Sequence, residues 1–205
     1  MVPQHGQLFV LSAPTGGGKT SLAKTVVAAL ADKIAIKKVI TYTTRPIRSN
    51  EYEGQDYFFV NQERFLNKEH AGFFLETTRY DGNFYGSPRF ILDEMKAGMS
   101  FVIVTDRPGA KHLKAMVPDA ILIWIDVPDL ATVSQRLHQR GREDEATLNK
   151  RITMAQHEIA AEAHEHTFDY HVMNDEFATA VAKLAEIILQ ARQQHEKNGN
   201  GLNLL

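Results

Sequence analysis

The stretch Leu8-Phe-Val-Leu-Ser-Ala-Pro-Thr-Gly-Gly-Gly-Lys-Thr20 decides the reading of this chain. An apolar run gives way to three glycines, and Lys-Thr then opens a segment in which Leu22, Val26, Ala29 and Leu30 recur at helical spacing. Strand, glycine loop and helix in that order form a cradle for nucleotide phosphates. Glycines let backbone N–H groups turn inward around phosphate oxygens, the helix start adds unsatisfied donors and a positive dipole end, and Lys19 brings a full charge. The expected nucleotide-phosphate-binding loop is therefore Ala13, Pro14, Thr15, Gly16, Gly17, Gly18, Lys19, Thr20 and Ser21, with Thr20 offering a hydroxyl to Mg²⁺. Ala13 stands where the strict G-x-x-x-x-G-K-[ST] spacing has its first glycine, so the match is to a relaxed form.

Working outward, the apolar runs Phe101 to Val104 and Ile121 to Val127 lack alternation, which suits parallel strands buried on both faces, and Tyr170 to Met173 is a further short strand. Helical spacing is expected over Phe90–Ala97, Leu130–Arg140, Leu148–His164 and Phe177 to about Gln194. Together these predict an α/β doubly wound domain with a parallel sheet between helices. Val39 to Pro88 breaks the pattern: rich in Tyr, Phe, Thr and Gly, it reads as a small, mainly antiparallel α+β insert. Gly141 to Thr147, polar and charged between helical segments, reads as a flap, and Lys197 to Leu205 as a frayed tail.

Composition narrows the function classes. A chain of 205 residues with 43% hydrophobic content can bury one sizeable core. A formal net charge of −2 gives no general attraction to nucleic acid, so basic chemistry must be local. The absence of cysteine excludes disulfides, thiolate catalysis and cysteine-ligated zinc, and with no secretory or membrane-spanning run in view the cytoplasm is the expected compartment. His157-Glu158 begins like a zinc-protease helix, but Ala161 stands where the second histidine belongs. Trp124, in an apolar strand, is read as core.

The insert carries Thr41-Tyr-Thr-Thr-Arg-Pro-Ile-Arg48, Gly54-Gln-Asp-Tyr57-Phe-Phe-Val, Phe74-Leu-Glu76 and Gly82-Asn-Phe-Tyr85-Gly-Ser87. With the glycine loop before them and Arg140-Gly and Asn174-Asp after them, these runs resemble the guanylate kinases, which phosphorylate GMP from ATP, over roughly Gln7 to Gln190. The resemblance implies a P-loop NTPase three-layer α/β/α core (5–37, 90–130 and 156–194), a GMP-binding insert (38–89), a short helical lid (131–155) and a tail (195–205). It implies ATP and GMP as substrates, Mg²⁺ with the ATP, no nucleic acid or membrane partner, and a monomer or homodimer.

The chemistry of the quoted residues agrees with those roles. Two arginines three apart beside two tyrosines can hold a phosphate dianion, and by resemblance Arg45, Arg48, Tyr57 and Tyr85 bind the GMP phosphate. Guanine offers N1–H and the N2 amino group side by side, which one carboxylate can accept; Glu76 is the matching acid, and Thr41 and Ser87 match the hydroxyls that read guanine's other polar atoms. Lys19, Arg45 and the lid arginines Arg140 and Arg151 are the catalytic candidates, with Arg136 and Arg142 weaker ones, and Asn174 matches a segment near the ATP adenine.

One motif departs. Where the family shows acid-x-Asp-x-Gln-Gly, this chain has Val104-Thr-Asp106-Arg-Pro-Gly109, so only the second acid is kept. Asp106 is left to orient GMP, hold the metal's outer shell or face Lys19. The missing acid and glutamine keep open a related kinase of another phosphorylated sugar or nucleotide; the alternative of a different class is a non-catalytic phosphopeptide-binding scaffold, against which Lys19, Thr20, Arg140 and Arg151 argue.

Overall fold

The computed structural model describes residues 5–49, 51–139 and 144–197. A five-stranded parallel sheet in the order β2-β7-β1-β8-β9 forms its centre: β1 (Leu8–Ser12), β2 (Ile36–Lys38), β7 (Ser100–Val104), β8 (Ile121–Asp126) and β9 (Tyr170–Met173). The apolar runs lack alternation because both faces of the sheet are covered. Phe9 and Leu11 point into one layer with Leu22 and Val26 of α1 (Lys19–Leu30) and Leu184 and Ile188 of α7 (Phe177–Lys197). Leu8 and Val10 point the other way, onto Ile91 and Met95 of α3 (Ile91–Lys96), Leu113 of α4 (Arg107–Met116), and Trp124. Trp124 is a core residue, 1% exposed and tilted against Phe168.

A second sheet, in the order β4-β3-β6-β5, leaves the first after β2 and returns before α3. It comprises β3 (Thr41–Thr43), β4 (Tyr57–Phe59), β5 (Phe74–Tyr80) and β6 (Asn83–Pro88), with α2 (Gln62–His70) packed on it. It is mixed, since β3 pairs with β4 in parallel and with β6 antiparallel. Its own core is aromatic: Phe65 of α2 stacks on Phe74 at 4.7 Å between ring centroids and lies 5.5 Å from Phe84, while Tyr42 lies 4.6 Å from Phe58. Burial of such rings supplies most of what a sheet this small can gain.

Two helices complete the chain, α5 (Leu130–Gln139) and α6 (Glu145–Glu165), packed through Val133, Leu137, Leu148 and Ala155. The expected flap from Gly141 to Thr147 needs correcting where it is described: the Asp144 carboxylate accepts the Thr147 N–H at 2.7 Å, so the polar run from 144 is the capped start of α6. Likewise α7 continues through His195 to Lys197, past the expected start of the tail, with Arg192 buried and donating to the His5 carbonyl at 2.8 Å. No helix among the described residues is long and apolar enough to cross a membrane.

Candidate active site

The glycine loop folds as its sequence requires. Gly16 and Gly18 have φ of 78° and 88°, a region that side chains with a Cβ rarely enter. Gly17 is demanded by space, because a Cβ there would lie 2.8 Å from Ala13 Cβ and 2.9 Å from the Pro14 carbonyl oxygen. Ala13 and Pro14 are buried under the loop and brace it: Lys19 Nζ donates to Ala13 O at 2.7 Å, and Gly17 N–H to Pro14 O at 2.9 Å.

Across from this loop lies a cleft of about 1060 Å³, counting its open mouth. Gly16 to Ser21 line one wall; Thr41, Arg45, Arg48, Tyr57, Glu76 and Tyr85 from the second sheet and its loops line the other. Asp106, at the end of β7, and Arg151, from α6, join them. Residues scattered over more than a hundred positions thus face a single space. Arg140 and Arg142, the remaining lid candidates, lie outside the described residues.

The two arginines sit in different electrostatic settings. Arg45 forks onto Glu51, with Nη2 donating at 2.8 and 3.0 Å to the two carboxylate oxygens, and its guanidinium sits 5.4 Å from the centre of the Tyr57 ring. Burial, then the charges of Arg45 and Arg151, lower the Arg48 pKa. A phosphate dianion entering here relieves that repulsion.

Glu76 is the opposite case. Only 3% exposed, it has a buried Oε1 with no full hydrogen bond, and the buried Ser87 hydroxyl stands near the carboxylate without completing one. Burial raises its pKa from the ordinary 4.5 to about 7, and nearby Asp106 adds to the effect; the Ser87 and Thr105 hydroxyls oppose it. Orphaned polar atoms in a buried wall cost roughly 1–3 kcal/mol each unless something fills them. The pair therefore forms a ready acceptor and donor set for a polar ligand edge. Gly109 keeps the space open, since a Cβ there would come within 2.6 Å of Glu76 Oε1 and 2.2 Å of Thr105 Oγ1.

Asp106 is both cap and site residue. Its Oδ1 accepts the Gly109 N–H at 2.8 Å, starting α4, while burial raises its pKa and the Lys19 charge pulls the other way. Asn174 is absent from the cleft. It is buried behind the loop, donating through Nδ2 to Gly17 O at 2.8 Å, and faces a separate depression of about 710 Å³ with Gly16, Gly18, Ser21, Arg136 and Phe177. Arg136 donates to the Asn174 carbonyl there at 2.7 Å, so this weaker candidate lies in the same depression, outside the cleft.

A family model described as guanylate kinase matches residues 5–191. The chain belongs to the guanylate kinase family. It is 38% identical to the guanylate kinase of Coxiella burnetii over 199 residues, covering 97% of this chain and 94% of that one. Against the guanylate kinase of Legionella pneumophila (strain Paris) it is 35% identical over 196 residues, covering 95% and 91%. The crystal structure of guanylate kinase from Anaplasma phagocytophilum superposes with a TM-score of 0.76 at 28% identity, covering 94% of this chain and 89% of that one. Membership makes the protein a nucleoside monophosphate kinase built on a P-loop α/β core, and makes the two-walled cleft its candidate place of phosphoryl transfer.

Several residues around the cleft escape the sequence reading. Glu51 pairs with Arg45 inside its own loop, while Thr105 and Gly109 meet Glu76, and Glu158 meets Thr15 and Tyr80, only once the chain is folded. Asp81, at the β5–β6 turn with φ 46°, accepts from Lys150 at 2.6 Å and lies 3.9 Å from Arg151, joining the second sheet to α6. An Asp-Gly pair between two strands signals the turn, but nothing local signals its partner.

Proposed function

We propose that this kinase transfers the γ-phosphoryl group of ATP to GMP, giving ADP and GDP, with ATP on the glycine loop and GMP against the second sheet. The observation that carries the acceptor's identity is Glu76, a buried carboxylate with an unfilled oxygen, set beyond the cationic and phenolic wall of Arg45, Arg48, Tyr57 and Tyr85. A carboxylate so placed accepts guanine N1–H and the N2 amino group together; adenine lacks that donor pair and leaves the buried acid unpaired. Thr41, buried in the same wall, and Ser87 take guanine's remaining polar atoms.

The attacking atom is an oxygen of a nucleotide phosphate, already ionised near neutral pH, so no side chain must remove a proton from it. The obstacle is repulsion between two polyanions. Lys19 neutralises the donor phosphates, Arg45 and Arg48 those of the acceptor, and Arg151, with the lid arginine Arg140, the group in transit. Asn174 and Arg136 shape the side of the loop that receives the adenine. In this reading 5–37, 90–130 and 156–194 form the core, 38–89 the acceptor-binding insert and 131–155 the lid, whose closure excludes water as a competing acceptor.

The donor set suits Mg²⁺. Thr20 lines the cleft and Asp106 stands within the field of Lys19, while among the described residues no cluster of three or more His, Cys, Asp or Glu could cage a cation. A cation that keeps its waters and takes ATP oxygens needs one or two such ligands. When bound, it supplies charge neutralisation at the transferred phosphoryl's oxygens. Thr20 would hold it directly and Asp106 through its outer shell.

The test is ADP formation from ATP with GMP, dGMP, AMP or ribose 5-phosphate offered in parallel. Turnover with GMP should exceed that with AMP by roughly 10²-fold or more in kcat/KM. Equal use of AMP, or turnover only with the sugar phosphate, would contradict the assignment.

A further inference from the structure

Glu158 lies on α6 outside the cleft lining, seven residues beyond Arg151 and so about 10 Å further along the same face of the helix. It nevertheless touches both nucleotide walls. Its Oε2 accepts the Thr15 N–H at 2.8 Å, and its Oε1 accepts the Tyr80 hydroxyl at 3.2 Å. Thr15 belongs to the donor loop. Tyr80 ends β5 in the acceptor sheet, next to the Asp81 that takes Lys150 and approaches Arg151. One turn after Glu158, the buried Glu162 grips the Arg107 guanidinium at 3.1 and 3.2 Å and the Phe168 N–H at 3.2 Å, and Arg107 directly follows Asp106. One face of α6 therefore reaches the loop after β1, the loop after β7, and the acceptor hairpin.

We propose that Glu158 is a positioning residue for phosphoryl transfer: its two oxygens hold the donor loop, the acceptor sheet and the Arg151-bearing helix in one register, so that filling one nucleotide site strengthens the other. The proposal rests on the reading of ATP and GMP as the ligands. Its physical basis is that a carboxylate bonded to an amide and a phenol makes two charge-assisted hydrogen bonds, which tighten or break together when the sheet moves relative to the loop. A group in transit tolerates little error. A misplacement of about 1 Å can cost roughly 10²-fold in rate.

The experiment is calorimetric titration of a non-hydrolysable ATP analogue with Mg²⁺, with and without saturating GMP, beside kcat and KM for both substrates. In the unaltered protein GMP should tighten the analogue by about fivefold or more. Glu158→Ala should bring that factor within about twofold of unity and lower kcat by roughly 10²-fold. Glu158→Gln keeps an acceptor for Thr15 and should recover part of both losses. Tyr80→Phe removes the phenol's bond to Glu158 and its contact with the Thr15 side chain but leaves the Glu158 bond to the Thr15 N–H, so the coupling should fall while the analogue's affinity in the absence of GMP holds.

Coupling unchanged in Glu158→Ala or Tyr80→Phe would overturn the proposal. So would a uniform weakening of both ligands with a lowered melting temperature and no recovery in Glu158→Gln, the pattern of a purely structural contact. An unaltered protein that binds both nucleotides without coupling sinks the proposal alone, whereas one that binds neither contradicts the functional reading and the proposal with it.

Discussion

On the proposed donor side the cleft is lined by a glycine loop with its backbone N–H groups and one lysine, gathered between Ala13 and Thr20 at the mouth of β1; on the proposed acceptor side it is lined by side chains from separate stretches between Thr41 and Asp106. The first wall depends on backbone shape and constrains residues mainly through what must be absent, a Cβ at Gly16, Gly17 or Gly18. The second depends on what is present, and each member can be changed singly. On the proposed reading, binding strength for any triphosphate belongs to the loop, and discrimination between bases belongs to the sheet.

The largest expected effect tests whether the walls are separable. Lys19→Ala should lower kcat by about 10³-fold or more, while GMP affinity measured without ATP stays within about threefold; an equal loss of GMP binding would merge the two walls. Gly17→Ala should strike the donor side through shape alone, because its new Cβ meets Ala13 and Pro14, weakening ATP-analogue binding by roughly 10²-fold with GMP binding retained.

Glu76→Gln should do the reverse, cutting kcat/KM for GMP by roughly 10²-fold and sparing the analogue. It should also stabilise the empty protein. The raised pKa of Glu76 means that folding favours its protonated form, a contribution present below pH 4.5 and lost as pH rises through about 7. At pH 8 the buried charge costs on the order of 3 kcal/mol, which glutamine removes, so the melting temperature of the variant should exceed that of the parent at pH 8 and match it near pH 4. The same titration predicts that KM for GMP rises by up to about tenfold per unit as pH falls below 7, because only the carboxylate accepts both guanine donors; a flat profile, or the same slope in Glu76→Gln, would remove Glu76 from the base-reading role. The smallest effect is expected at the contact between the walls. Lys150→Ala loses a largely exposed ion pair to Asp81 and should change stability by less than about 1 kcal/mol in a melting experiment.

The contrast also explains what could be read in the chain before it was folded. The glycine loop, α1, β1, β7, β8 and β9 were legible because their signals are local: an apolar run, glycines at fixed offsets, a helical period. The acceptor residues were legible only through resemblance, since neither Arg45 nor Glu76 announces a phosphate or a base by itself. The helix α4 was missed because Arg107-Pro-Gly109 looks like a turn, whereas proline fits the first turn of a helix and Asp106 caps it. Glu51 and Glu158 were invisible for a different reason. Glu51 meets Arg45 and the Arg48 N–H inside its own loop, a contact no periodic pattern announces, and Glu158 reaches Thr15 from the far end of the sequence.

The placement of the second sheet inside the first has a kinetic consequence. Pairing β2 with β7 brings Ile36 to Ser100, and the whole of the second sheet lies in the intervening loop. Closing such a loop in an open coil is entropically unfavourable and slow. When the aromatic rings around Phe65 condense first, they draw the two ends of the inserted segment together and shorten the effective span the central strands must close. In that order of events the acceptor wall would serve during folding as a clasp for the donor wall, before either has met a nucleotide.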